Sequence, residues 1–367
     1  MRFGGKHGPA RAAAVTTIAL SLIGPCAGAA LAQTRSASAP PKGVPMPHEV
    51  TSRMLPLRAA RSELVEFNIA PPFPYSGKAP SGKPFLDVTD EEGRRGHRTS
   101  RGGVLWEDVS FSDRRALMFI PKGFDARRPG LIVVFLHGHR ATIDRDVRDR
   151  QRVADQIALS NVNAVLVAPQ FAVNASDSSA GRFWESYGFA SFLGEAGAHL
   201  ARLHGDWRTR KTFATLPVVV VAYSGGYVPA AWALHKGGTS SRVIGVLMLD
   251  ALYGEAYKYA DWIERHPNAF FVSSYTSSSA RGNEALRTLL AEREIAASGS
   301  LPARLNGGVV FLPTGSGVTH ESFVTQAWAE NPIKDVLERI AGYARTQPKR
   351  TESSSRDPLG DLIRASP

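Results

Sequence analysis

A serine, an aspartate and a histidine stand just beyond three apolar runs of this chain, in that order. Ser224 follows 217–222, Asp250 follows 243–249, and His320 follows 308–312 through a glycine-containing loop. These are the residue types of nucleophilic catalysis, in which a hydroxyl is activated by a base that an acid orients. A fourth run, 131–136, ends in His137-Gly138-His139. His-x-His at a strand end is also half of a metal site, but zinc takes three or four ligands, and the following residues add only Asp144. His199, His204, His235 and His266 have no paired ligand spacing. No metal and no cofactor are expected. His137 is expected to pack beneath its loop and His139 to line a cleft.

Reactive groups collect beyond the carboxyl ends of strands in an open parallel sheet, so these positions require such a sheet. The runs 131–136, 164–168, 217–222, 243–249, 269–272 and 308–312 are rich in Val, Ile, Leu and Phe, without polar alternation, as strands covered on both faces require. Between them Phe189, Phe192, Leu193, Ala196, Leu200 and Leu203 recur at helical spacing, and 281–297 and 321–344 behave alike. Ahead of them, 104–111 and 116–120 flank a polar Ser112-Asp113-Arg114 turn and read as an antiparallel pair. The expected architecture is one α/β domain over 85–345, a mostly parallel eight-stranded sheet flanked by helices.

The segment Val218-Val219-Val220-Val221-Ala222-Tyr223-Ser224-Gly225-Gly226 reads as a buried strand turning sharply into a helix, with Pro229 in the helix's first turn. Its other reading is an ordinary glycine-rich turn. With Ala222 and Gly226 as the small residues on either side of the serine, it resembles the nucleophile elbow of the α/β-hydrolase superfamily, whose usual pattern is Gly-x-Ser-x-Gly. The alanine is a departure from that pattern. The resemblance extends from about residue 104 to 343, with His-Gly after the third strand, serine after the fifth and histidine after the eighth.

That resemblance implies the α/β-hydrolase fold and acyl transfer. Ser224 is the implied nucleophile and His320 the base, and the backbone N–H groups of Gly225 and His139 are the implied oxyanion hole. Many members carry the acid after the seventh strand. Here 269–272 runs into Ser273-Ser274-Tyr275-Thr276-Ser277 without a carboxylate; Asp250 follows the sixth strand, a variant that the resemblance allows, and is the expected acid. Glu255, Asp261 and Glu284 are its alternatives as the acid, and capping a helix that begins near Gly254 is the other reading of Asp250 itself. The long insertion 170–187 ends in Phe183-Trp184-Glu185-Ser186-Tyr187. Loops above strand ends often cover a site, so Trp184 and Tyr187 are candidates for a substrate wall, with Tyr223 and Tyr253 also near the cleft.

Composition bounds the rest. The chain has 367 residues, 43% hydrophobic and 21% charged, close to the soluble globular average. Residues 1–32 carry Arg2, Lys6 and Arg11, a short apolar stretch and an Ala30-Leu31-Ala32 end, the three parts of a secretory signal. Cleavage there removes Cys26, the single cysteine, and predicts an exported, periplasmic or extracellular protein without thiol chemistry. Cleavage also removes Arg2, Lys6 and Arg11, so the formal charge of +11 becomes +8, which still favours encounter with acidic surfaces or substrates. Arg94-Arg95 and Arg208-Thr209-Arg210-Lys211 lack interleaved aromatics, so no nucleic-acid platform is expected. The Pro-rich stretch 33–84 is expected to be a largely irregular arm without ladder pairing, and 346–367 a polar tail. The functional expectation is a serine hydrolase acting on a carboxylic ester. An amidase or peptidase with the same triad, and a non-catalytic binding protein retaining the fold, are the alternatives.

Overall fold

The computed structural model describes residues 55–99, 102–315 and 317–345. The segment expected as a signal (1–32), the first part of the expected arm (33–54) and the expected tail 346–367 lie outside them. Eight strands make the body of the main sheet: β1 (Arg61–Glu66), β2 (Arg115–Ile120), β3 (Leu131–Leu136), β4 (Ala164–Pro169), β5 (Val218–Tyr223), β6 (Val243–Leu249), β7 (Phe270–Tyr275) and β8 (Gly308–Pro313). Their spatial order is β1-β2-β4-β3-β5-β6-β7-β8, and the two-residue strand Ala297–Ser298 pairs beyond β8 as a ninth. β2 runs antiparallel to both β1 and β4, and from β4 to β8 every pairing is parallel.

Successive side chains on the central strands belong to two cores, as strand periodicity requires. Val218, Val220 and Ala222 of β5 join the core on one face, where α2 (Gly188–His204), α3 (Tyr227–Lys236), α4 (Ala256–Arg265) and α5 (Ala280–Glu292) pack. Val219, Val221 and Tyr223 join the other, beneath a widened π-helical segment, Ile143–Arg150, with α1 (Val153–Leu159) and α6 (Pro332–Glu338). All six β5 residues are buried, so the strand before Ser224 is held from both sides. Among the described residues no helix is long and apolar enough to cross a membrane.

The leading pair is a correction. The segment expected as its first strand gives only Val104–Trp106, which pairs with Arg95–Arg98 in a separate three-stranded antiparallel sheet and then turns into a short helix, Glu107–Ser110. Glu107 and Asp108 favour helix at that point, since carboxylates in a first turn complement its unpaired N–H groups. The partner that β2 takes instead is β1, from the stretch expected to form no ladder. Its sequence, Arg-Ser-Glu-Leu-Val-Glu, has the exposed charges of a sheet edge. The chain after β1 is tied to α2 by the buried Glu195 carboxylate, which accepts the N–H groups of Asn68 (2.6 Å) and Ala70 (2.7 Å), with Ile69 at 3.1 Å.

Two expected helices are shorter than their periodicity. The one expected over 281–297 ends at Glu292, with Glu294 left-handed (φ +57°) two residues on. Over 321–344 only α6 is helical. Phe323 and Val324 are fully buried as anchors of a loop, and Gln156 of α1 donates to the Val324 carbonyl (2.8 Å).

Candidate active site

Ser224 occupies the turn between β5 and α3 at φ +51°, a left-handed conformation that costs a non-glycine residue about 1 kcal/mol. The turn is that tight because its neighbours are glycines. A Cβ at Gly226 would lie 2.2 Å from the Leu136 carbonyl oxygen, and one at Gly225 2.4 Å from Cδ2 of His139. The loop after β3 therefore abuts the serine turn. Gly138 in that loop faces the serine itself: its Cβ would sit 2.6 Å from Ser224 Cβ and 3.1 Å from Oγ.

His320 comes from the loop after β8. Its Nε2 lies 2.9 Å from Ser224 Oγ, and its Nδ1 lies 2.7 Å from Oδ2 of Asp250. With Nδ1–H donating to the carboxylate, Nε2 carries a lone pair that accepts the serine hydroxyl. His320 is seated by the residue just before the serine. Tyr223 Oη donates to the His320 carbonyl oxygen (2.9 Å), and its ring stacks on the imidazole with centroids 5.0 Å apart. Burial pushes the Tyr223 phenol up to about 12, so it remains a donor through neutral pH. The π-helical segment adds Arg150, which donates to the Glu321 carbonyl (3.1 Å).

Asp250 follows β6 at φ +43° and is fully buried. Burial alone would raise its carboxyl. The hydrogen bonds from His320, Ser279 and Thr276 outweigh that and hold it far below the ordinary carboxylate range. Thr276 donates twice, through N–H (3.0 Å) and Oγ1 (2.9 Å), Ser278 Oγ donates at 3.0 Å, and Ser279 Oγ donates to Oδ1. The polar run after β7, which carries no acid itself, thus supplies the donors that keep the acid of β6 ionised. Of the alternative acids, Glu255 pairs with Lys258, Asp261 with Arg293, and Glu284 lies beside Arg287.

Both nitrogens of the buried His137 are used. Nδ1 bonds the Gly138 carbonyl (2.8 Å), while Nε2 accepts the Phe171 N–H (2.9 Å) and the Gln170 side-chain amide (2.9 Å). Burial lowers its pKa, so the ring is neutral, as an accepting Nε2 requires. It pins the loop after β3 to the end of β4. His139 Nε2 and Ser178 Oγ are hydrogen-bonded at 2.6 Å, and a Cβ on Gly225 would meet Ser178 Oγ at 2.9 Å.

The four candidate wall residues separate. Tyr253 is brought to the site, with its ring 6.4 Å from that of His320. Tyr223 is only 4% exposed and lies under His320, because strand alternation turns it into the core. Trp184 packs against Tyr75 and Phe85 (ring centroids 5.9 and 5.5 Å). Tyr187 lies against Gly238, beyond the end of α3 remote from Ser224, about 15 Å along a ten-residue helix. The insertion divides to produce this. Its first half runs beside the loop after β3, through Arg140 N–H to the Ala175 carbonyl (2.8 Å) and Asn174 N–H to the Ala141 carbonyl (3.2 Å). Its second half enters the aromatic core. Ser178, in the polar run 174–179, is the residue of this loop beside the serine turn.

The close approach of Gly138 gives a direct test. Gly138→Ala leaves backbone φ unstrained but drives a methyl into Ser224. We expect kcat/KM for an ester to fall by about 100-fold, the cost of displacing a reacting atom by about 1 Å, and the thermal midpoint to fall as well, because a methyl forced against Ser224 Cβ costs about 1–3 kcal/mol. Wild-type turnover by this variant would contradict that packing.

The strand order, the parallel crossovers from β3 onward and the left-handed serine turn after β5 define an α/β-hydrolase fold. No protein-family model matches the chain, and no curated protein matches it. Solved structures similar to it include a mutant of the feruloyl esterase module from Clostridium thermocellum complexed with sinapinate (13% identical, covering 77% of this chain and 99% of that one, TM-score 0.42). Others are the S-formylglutathione hydrolase from Agrobacterium tumefaciens (14% identical, 67% and 94% covered, TM-score 0.40) and dienelactone hydrolase from Anabaena variabilis (15% identical, 63% and 92% covered, TM-score 0.37). Likeness at this level carries no statement about chemistry.

Proposed function

We propose that this protein is a serine hydrolase that cleaves a carboxylic ester through a covalent acyl-enzyme. The observation that carries the reading is the continuous chain from Ser224 Oγ through His320 to Asp250, at 2.9 and 2.7 Å. Ser224 Oγ attacks the ester carbonyl as its proton passes to Nε2 of His320, forming the tetrahedral oxyanion. The N–H groups of Gly225 and His139 are assigned to that oxyanion, where such donors are worth roughly 3–4 kcal/mol each. Collapse expels the alcohol, which takes the proton from Nε2. Water then repeats the sequence, releasing the acid and restoring the serine. Asp250 remains ionised throughout and stabilises the imidazolium.

The same three groups would serve an ester or an amide, and the ester is preferred because an alkoxide leaves more readily than an amine and so asks less of His320, the imidazole that touches the serine among the described residues. A fluorophosphonate probe followed by peptide mass mapping tests the reading. The expected adduct is on Ser224, together with turnover of short 4-nitrophenyl esters and far slower turnover of the matching anilides. Faster anilide cleavage would make the protein an amidase. An unlabelled protein that nevertheless binds esters would make it a non-catalytic relative.

A further inference from the structure

A cavity of about 490 Å³ opens where the base and acid end, within the size range of small-molecule sites. Tyr253, whose ring stands 6.4 Å from that of His320, forms one wall. Ser278 and Ser279, whose hydroxyls bond the Asp250 carboxylate, form another. The cavity therefore borders the proposed reaction centre through residues beside His320 and bonded to Asp250.

Its charges do not cancel. Glu255 is matched by Lys258, and Asp250 by His320 and its ring of donors. Arg281 is the one cation among the lining residues. It is exposed and makes no ion pair or hydrogen bond among the described residues. Farther along the same helix and just past its end, Arg287 lies beside Glu284, and Arg293 pairs with Asp261 and Glu264. Arg281 also stands in the first turn of α5, which holds no acidic residue. Unpaired N–H groups already make that end positive, so a cation there is disfavoured in the free protein. A local electrostatic rule broken without internal compensation points to a group brought from outside.

We propose that this cavity receives a carboxylate carried by the ester substrate, with Arg281 as the residue that selects it. The proposal rests on the serine-hydrolase reading. A single guanidinium fits a planar monoanion, which it binds through two parallel N–H groups. A dianionic phosphate would meet one cation for its two charges, so the carboxylate is the better match.

Two matched probe pairs test this. With the charge on the acyl half, the 4-nitrophenyl monoester of adipic acid is compared with 4-nitrophenyl hexanoate. With the charge on the alcohol half, 4-carboxyphenyl butanoate is compared with 4-carbamoylphenyl butanoate. The readout is the ratio of kcat/KM, charged over neutral, at low ionic strength. Wild type should favour the charged member of one pair by about tenfold, the scale of one charge-assisted pair. Arg281→Ala should bring that ratio to about one, Arg281→Glu below one, and Arg281→Lys should keep part of it. Added salt should shrink the wild-type ratio. Ratios near one for both wild-type pairs, or a preference that survives Arg281→Ala, would overturn the inference. If Ser224-dependent turnover of the neutral esters persists in that case, only the carboxylate site fails. If none of the four esters is cleaved and Ser224 resists labelling, both readings fail.

Discussion

Ser224→Ala and His320→Ala should each lower kcat for an activated ester by about 10⁶-fold, and the double variant should be no slower than either alone. Groups that act as one unit lose their joint effect when the first is removed. The 2.9 Å contact between Oγ and Nε2 makes these two such a unit: without the imidazole the hydroxyl keeps its proton, and without the hydroxyl the imidazole has none to take. The measurement is a double-mutant cycle on kcat with an active-site-titrated wild type. Losses that add across the two substitutions would mean that the residues act separately and would remove the mechanism. Unfolding does not offer another cause, because alanine at 224 inherits the same φ of +51° and the same backbone strain as serine. Its thermal midpoint should stay close to that of the parent.

Four strand ends converge to make that unit. β3 brings Gly138 against the serine, β5 brings the serine, β6 the carboxylate, and β8 the imidazole. Tyr223 couples two of these: it precedes Ser224 in the chain and holds His320 by the histidine's own carbonyl. Movement of the loop after β8 therefore breaks a hydrogen bond to β5 as well as the bond to Asp250.

The central strands and the order of the reactive residues were legible because buried parallel strands are continuous apolar runs, and the residue just past the end of such a run stands at the rim of the sheet. Val218 to Tyr223 is the plainest case. The edge of the sheet was not legible. Arg61–Glu66 has only Leu64 and Val65 to mark it as a strand, and its pairing partner lies some fifty residues away. Residues 104–111 carry more strand-like composition, yet the acidic pair at Glu107 and Asp108 turns them into a helix. In the site, Asp250 is recognisable by its position after β6, but Thr276, Ser278 and Ser279 are not. Hydroxyl residues are common in loops, and only folding shows that all three face one carboxylate. Trp184 and Tyr187 failed as wall residues for a similar reason, since an aromatic pair at the end of a long insertion gives no sign of where that insertion folds back.

Asp250→Asn is expected to lower kcat by about 10⁴-fold and to change how the protein responds to acid. An amide nitrogen in place of Oδ2 donates where the carboxylate accepted. His320 must then turn its lone pair toward residue 250 through Nδ1, which leaves Nε2 protonated and facing Ser224, the wrong tautomer for a base. The stability effect arises from the depressed pKa of Asp250. Such a group contributes stability that is fully present above the unfolded-state value of about 4 and is lost as pH falls through the lower folded value. The wild type should therefore lose stability steeply from about pH 4 downward. The asparagine variant should be less stable by about 2–3 kcal/mol at neutral pH, where a charged acceptor of several hydrogen bonds has been removed, and its curve should be flatter below pH 4. Urea unfolding at a series of pH values measures both slopes. Parallel curves with a constant offset would show that the carboxylate is not held ionised by its hydroxyl and imidazole donors, and near-wild-type turnover would move the acid to another residue.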